Sequence, residues 1–73
     1  MLSEHEMDAV LHALGNESRR RMLDIVKERP GIAVGALARE FDVSRIAVMK
    51  HLAVLEEANL IISEKDGRTR KLY

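Results

Sequence analysis

Cysteine is absent from the 73 residues, which excludes disulfides, thiolate metal sites and a cysteine nucleophile. Aromatic side chains are almost absent as well, Phe41 and Tyr73 being the only two. A core must therefore be assembled from Leu, Ile, Val, Met and Ala, and aliphatic helix-on-helix packing is the natural outcome. Proline occurs once, at Pro30. No apolar run approaches the roughly 20 residues that span a bilayer. The opening Met1-Leu2-Ser3-Glu4-His5-Glu6 is acidic and lacks a signal-peptide core, so a cytoplasmic chain with no membrane partner is expected. An excess of one charge sign is also missing: 12 basic and 12 acidic residues cancel. Neutrality by itself argues against nucleic acid as a partner. The distribution softens that argument, because residues 65–73 carry Lys65, Arg68, Arg70 and Lys71 against Asp66 alone. Salt screens exposed charges beyond about 8–10 Å, so a local excess can bind phosphate on a neutral chain.

What is present fits one small domain spanning residues 1–73. A domain of this size buries only about 60% of its unfolded surface, which leaves no room for a deep substrate pocket. No Gly-rich phosphate loop, supported Ser-His-Asp order or HExxH motif is found, so neither an enzyme nor a cofactor is expected. His5, Asp8 and His12 share one helix face, but without a stronger ligand set they read as exposed residues and no metal is assigned.

Periodicity gives the order of elements. Ser3 and Glu6 have the spacing of a capping box, and Met7, Val10, Leu11 and Leu14 follow at helical intervals up to Gly15. That apolar stripe exceeds what a monomer core needs and points to a homodimer through the first helix, the alternative being that part of it packs on the domain's own core. Asn16 caps a second helix that runs to about Arg29, ended by Pro30. Its Arg19-Arg20-Arg21 run reads as a solvated face, with Glu17 and Arg21 paired at i,i+4. Ile32 and Val34 suit a short extended piece, and a short third helix carries Leu37, Ala38 and Phe41. Ser44 caps a fourth helix over about 45–58, where Leu52 and Leu55 fall within about 40° of Val48. Asn59 suits the left-handed residue that ends a helix. Leu60-Ile61-Ile62 begins a strand, Asp66-Gly67 is a two-residue hairpin signal, and Arg68–Tyr73 returns. The fold class is mainly α with a small β-hairpin: a winged helix-turn-helix with a core of three or four helices plus a wing.

Two stretches then resemble a known family. Ala13-Leu14-Gly15-Asn16-Glu17-Ser18-Arg19-Arg20-Arg21-Met22-Leu23 resembles the opening of ArsR/SmtB-type repressors, and Ser44–Leu60, with its His51-Leu52 pair and Val54-Leu55-Glu56, resembles their recognition helix and its exit. The resemblance runs from about Val10 to Tyr73. It implies a winged-helix fold, a homodimer and a double-stranded DNA operator of two-fold character. Many relatives sense metals through cysteines at the start of the third helix; the corresponding Ala33-Val34-Gly35-Ala36-Leu37 offers no ligand. Relatives also carry a further C-terminal helix that contributes to the dimer. The sequence stops at the second wing strand, as an excised domain or a shortened member would.

The residues expected to meet DNA lie on the fourth helix and the wing. Arg45 lies near the helix start, while Ile46, Met49, Lys50 and Ala53 face away from Val48, Leu52 and Leu55. Arg45 and Lys50 can donate to guanine O6 and N7 in the major groove, and Ile46 and Met49 can pack on thymine methyls. The matching positions contact DNA in relatives, and the resemblance carries that role to Arg45, Ile46, Met49 and Lys50. Ser44 is first a cap, and its end of the helix can also meet a phosphate. Lys65, Arg68, Thr69 and Arg70 would follow the backbone, positioning the protein without reading sequence. The alternative for these groups is a solvated helix face and a charged hairpin edge that deters aggregation. His51 is expected at the core edge, beside Leu52 and Leu55. The function expected is that of a sequence-specific DNA-binding transcriptional regulator, a repressor. The competing class is a winged-helix protein-interaction module anchored by Ile46 and Met49, with no DNA partner.

Overall fold

The computed structural model describes residues 1–73. Helix α1 covers Glu4–Leu14 and α2 Glu17–Glu28. Strand β1 (Ile32–Ala33) leads directly into the short α3 (Val34–Ala38). Helix α4 spans Arg45–Glu57, and strands β2 (Ser63–Asp66) and β3 (Thr69–Leu72) form the wing. No helix is long and apolar enough to cross a membrane.

The helix starts follow from their caps. The Ser3 hydroxyl accepts the Glu6 N–H at 3.1 Å, and the Glu6 carboxylate accepts the Ser3 N–H at 3.3 Å, closing the capping box. Asn16 accepts the Arg19 N–H at 3.0 Å, and Ser44 accepts the Ala47 N–H at 3.1 Å. Each cap satisfies a donor that the first helical turn would otherwise leave unpaired. Asn59, at φ 59°, is the one non-glycine residue with positive φ and carries the chain out of α4.

The core gathers Ala13 from α1, Met22 and Val26 from α2, Val34 and Leu37 from α3, and Val48, Leu52 and Leu55 from α4. Ile32, Ala58, Ile61 and Leu72 close it from the sheet side. No buried side-chain polar atom lacks a partner. On α1 the inward residue is Ala13, while Val10 packs against the core only in part. Met7 and Leu11 face outward, 45% and 61% exposed. The apolar stripe read from α1 is thus split between the core and an open face.

Several local expectations shift. Val34 is not extended: it is the first residue of α3 and fully inside, and α3 ends before Phe41. The extended piece is Ile32–Ala33, and it is the third strand of the sheet, antiparallel to β3 in the order β1-β3-β2. The strand after α4 begins at Ser63 rather than Leu60, although Ile62 and Tyr73 exchange two backbone hydrogen bonds of 2.8 Å and extend the ladder by one pair. The hairpin turns one residue later than Asp66-Gly67. Asp66 pairs with Thr69, and the two loop residues are Gly67 and Arg68. Positive φ at Gly67 (64°) and not at Arg68 is the pattern of a type II′ turn.

Candidate nucleic-acid interface

Helix α4 has two sides of opposite character because its aliphatic residues recur at three- and four-residue steps. Val48, Leu52 and Leu55 are buried. Arg45, Ile46, Lys50 and Ala53 are exposed, Ile46 by 70%. Met49 is half-buried and packs against the core, so it borders the outer side rather than projecting from it. The first turn of α4 contains no acidic residue, which leaves the positive end of its dipole uncompensated.

Beside that helix lies an open groove of about 380 Å³. The β1–α3 junction (Ala33, Val34, Gly35, Ala36) and Arg39 form one wall, Arg45 and Met49 the second, and Arg68, Thr69 and Arg70 of the wing the third. Five of the residues expected from sequence therefore converge there: Arg45, Met49, Arg68, Thr69 and Arg70. The other four lie outside its lining. Ser44 serves as the α4 cap, Ile46 and Lys50 stand on the exposed side of α4, and Lys65 stands on β2 opposite Arg70. Arg39 and the β1–α3 junction were not anticipated. The available signal was faint: Arg39 is the only Lys or Arg between Pro30 and Ser44.

The arginines divide sharply by partner. Arg19 does not belong to a solvated face: its Nε donates to the Ala13 carbonyl at 2.8 Å and its Nη2 to the His12 carbonyl at 2.9 Å. Its Nη1 lies 3.3 Å from Nδ1 of His51, which ties α4 to the end of α1. Arg20 donates to the Leu14 carbonyl at 2.6 Å. Arg21 stacks on Phe41, its guanidinium carbon 4.9 Å from the ring centre, instead of pairing with Glu17. Arg29 pairs with Glu40 at 3.5 Å. Arg70 donates through Nη2 to Glu56 of α4, at 3.2 Å, and to the Ser63 hydroxyl. Only Arg39, Arg45 and Arg68 have no hydrogen-bond, ion-pair or aromatic partner, and all three line the groove.

The wing adds a second electrostatic feature. Lys65 and Arg70 occupy directly opposed positions on β2 and β3, a like-charge arrangement that costs energy in the absence of an anion. On the other face of the hairpin, Lys71 reaches Asp66 at 2.9 Å. That hydrogen bond and its charge hold the Asp66 carboxyl below its ordinary value and raise the Lys71 ammonium above its own. His5, Asp8 and His12 do not come together: no three His, Asp or Glu side chains are grouped as metal ligands.

A helix-turn-helix whose second helix is followed by a β-hairpin defines the winged helix-turn-helix class of proteins, and in this chain unpaired arginines lie between the two. A family described as "Helix-turn-helix domain" matches residues 14–64. An uncharacterized HTH-type transcriptional regulator of Bacillus subtilis, YuzN, is 37% identical over 71 residues, covering 89% of this chain and 77% of that protein. The HTH-type transcriptional regulator Rv2034 of Mycobacterium tuberculosis is 41% identical, covering 90% of this chain and 60% of that one. Among solved structures, an ArsR family transcriptional regulator, RHA00566, superimposes with a TM-score of 0.87 at 30% identity, over 97% of this chain and 72% of that chain. NolR from Sinorhizobium fredii does so with a TM-score of 0.79 at 32% identity, over 99% and 77%. The chain belongs to the ArsR-type helix-turn-helix transcriptional regulators, a family of DNA-binding proteins and not of enzymes.

Proposed function

We propose that the chain represses transcription in the cytoplasm by holding a double-stranded DNA operator as a homodimer. Helix α4 enters the major groove. Arg45 and Lys50 donate to base edges, Ile46 and Met49 cover thymine methyls, and the Ser44 end of the helix meets a phosphate. Lys65, Arg68, Thr69 and Arg70 track the sugar-phosphate backbone. The observation that carries this reading is the sorting of the arginines: those left without an internal partner stand around one groove beside α4. An unpaired guanidinium is available to a phosphate without first breaking a bond. The exposed Leu2, Met7 and Leu11 of the α1 region supply an apolar face for the second subunit.

The test is a selection of bound duplexes from a random pool, followed by binding of the consensus at rising salt. The expected consensus is a palindrome, as a two-fold dimer requires. Arg45→Ala should relax preference at particular base pairs, while Arg68→Ala should weaken binding to every duplex alike. Failure to bind any duplex at about 50 mM salt would reject the reading and favour a protein partner for Ile46 and Met49.

A further inference from the structure

We infer that Arg39, at the end of α3, is a phosphate-contacting residue of the DNA interface, so that the backbone is gripped from three elements and not two. The inference rests on the DNA-binding reading above and adds to it a residue that neither the helix-turn-helix pattern nor the wing pattern singles out.

The argument starts from competition. A guanidinium on a protein surface is hydrated or takes one of three protein partners: a helix-end carbonyl, a carboxylate or an aromatic face. This chain offers each to its arginines. Arg19 and Arg20 take the carbonyls at the end of α1, Arg21 takes Phe41, and Arg29 takes Glu40. Arg39 is the immediate chain neighbour of Glu40, yet that carboxylate is engaged by Arg29 at 3.5 Å. Arg39 turns instead into the groove, whose lining contains Arg45, Arg68 and Arg70 and no acidic residue. Collecting like charges around a concavity is unfavourable unless an anion neutralises them. The wall of small residues opposite them keeps the backbone approachable: a Cβ added at Gly35 would meet only the Arg45 guanidinium, at 4.0 Å. A groove about 380 Å³ in volume, open to solvent and beside the helix that enters the duplex, suits a backbone phosphate.

Arg70 differs from its neighbours in the groove. Its Nη2 is committed to Glu56 and Ser63, so a carboxylate already offsets its charge toward DNA. The free cations of the groove are therefore Arg39 on α3, Arg45 on α4 and Arg68 at the wing tip.

Counterion release gives the measurement. Each phosphate neutralised contributes about 0.9 to the slope of log affinity against log salt. The affinity of the full 73-residue chain for its selected duplex and for an unrelated duplex is measured between 50 and 200 mM salt, alongside Arg39→Ala, Arg39→Lys, Arg68→Ala and Arg29→Ala. For Arg39→Ala the slope should fall by about 0.9, so that its loss of affinity across this fourfold salt range is about 3.5-fold smaller than that of the wild type. The weakening should be equal on both duplexes. Arg39→Lys should restore the slope, and Arg29→Ala, which releases Glu40 to the neighbouring Arg39, should lower it toward that of Arg39→Ala. A wild-type slope for Arg39→Ala beside a reduced slope for Arg68→Ala would overturn the role of Arg39 and leave the DNA-binding reading intact. Wild-type slopes for both would remove the groove from the interface altogether, and absence of duplex binding by the wild type would reject the underlying function.

Discussion

At the scale of single residues, Arg19 shows how one charged side chain substitutes for several weaker devices. The end of α1 leaves carbonyls without helical partners, and Gly15, at φ −77°, does not turn into the left-handed conformation that commonly satisfies them. Arg19 fills the gap with two charged hydrogen bonds, to Ala13 and His12, and adds a third contact to His51 of α4. Arg19→Ala should therefore destabilise the domain by about 2 kcal/mol, which for a chain of this length lowers Tm by roughly 10 °C. Arg20→Ala removes a single exposed bond to Leu14 and should cost less than about 1 kcal/mol. Thermal unfolding by circular dichroism checks both, and equal losses would show that the link between α1 and α4 contributes nothing. Neither role was legible beforehand: three consecutive arginines read as a solvated face, because the carbonyls they seek belong to the preceding helix and Phe41 lies beyond α3.

At the scale of elements, α4 and the wing behave differently. Helix α4 is specified locally, by the Ser44 cap and the repeat of Val48, Leu52 and Leu55, and both were apparent from spacing alone. Ser44→Ala should cost about 1 kcal/mol and be visible in the denaturation midpoint. The wing has less support of its own. Its outer strand, β2, has three exposed residues of four, and the cross-strand pair of Asp66 and Lys71 is its main side-chain tie on the open face. Asp66 is held below its ordinary carboxylate value of 3.8, so the stabilisation is present above that value and is lost as the pH falls through the lowered one. Lys71 is raised above 10.5, so its share is present below that value and is lost as the pH rises through the raised one. The wing should thus be tightest across the neutral range. Amide chemical shifts of residues 63–72 followed by NMR should move at both extremes while those of α4 stay fixed, and Lys71→Ala should abolish the alkaline step. Movement of the wing signals between pH 5 and 9 would contradict this.

At the scale of the whole molecule, two faces are left open. One is the arginine groove with the outer side of α4. The other is the outward face of α1, where Leu2, Met7 and Leu11 are 47%, 45% and 61% exposed. These exposed apolar side chains are the surface on which the proposed second subunit would pack. Leu11→Glu should convert a concentration-dependent dimer into a monomer in sedimentation and lower affinity for a palindromic duplex far more than for a half-site, since the second half-site then binds independently. A Leu11→Glu chain that sediments as the wild type does would exclude α1 from the interface. The substitution lies outside the core, so the melting temperature of the monomer should change little.

Sequence alone made α1, α2 and α4, their caps, the inward side of α4 and the presence of a hairpin after it legible, because each depends on residues within one or two helical turns. It also fixed the sorting of Arg45, Ile46 and Lys50 to the outer side of α4. Tertiary structure decided what depends on contacts distant in the chain. Pairing of β1 with β3 places Leu72 opposite both Ile32 and Ser63, and burial of Leu72 moves the turn to Gly67-Arg68. Packing likewise drew Met49 halfway into the core and brought Arg39 beside Arg45 and Arg68. The physical reason is range: caps and periodic burial act over a few residues, whereas strand register and the meeting of like charges in a groove exist only once α3, α4 and the wing have closed on a common core.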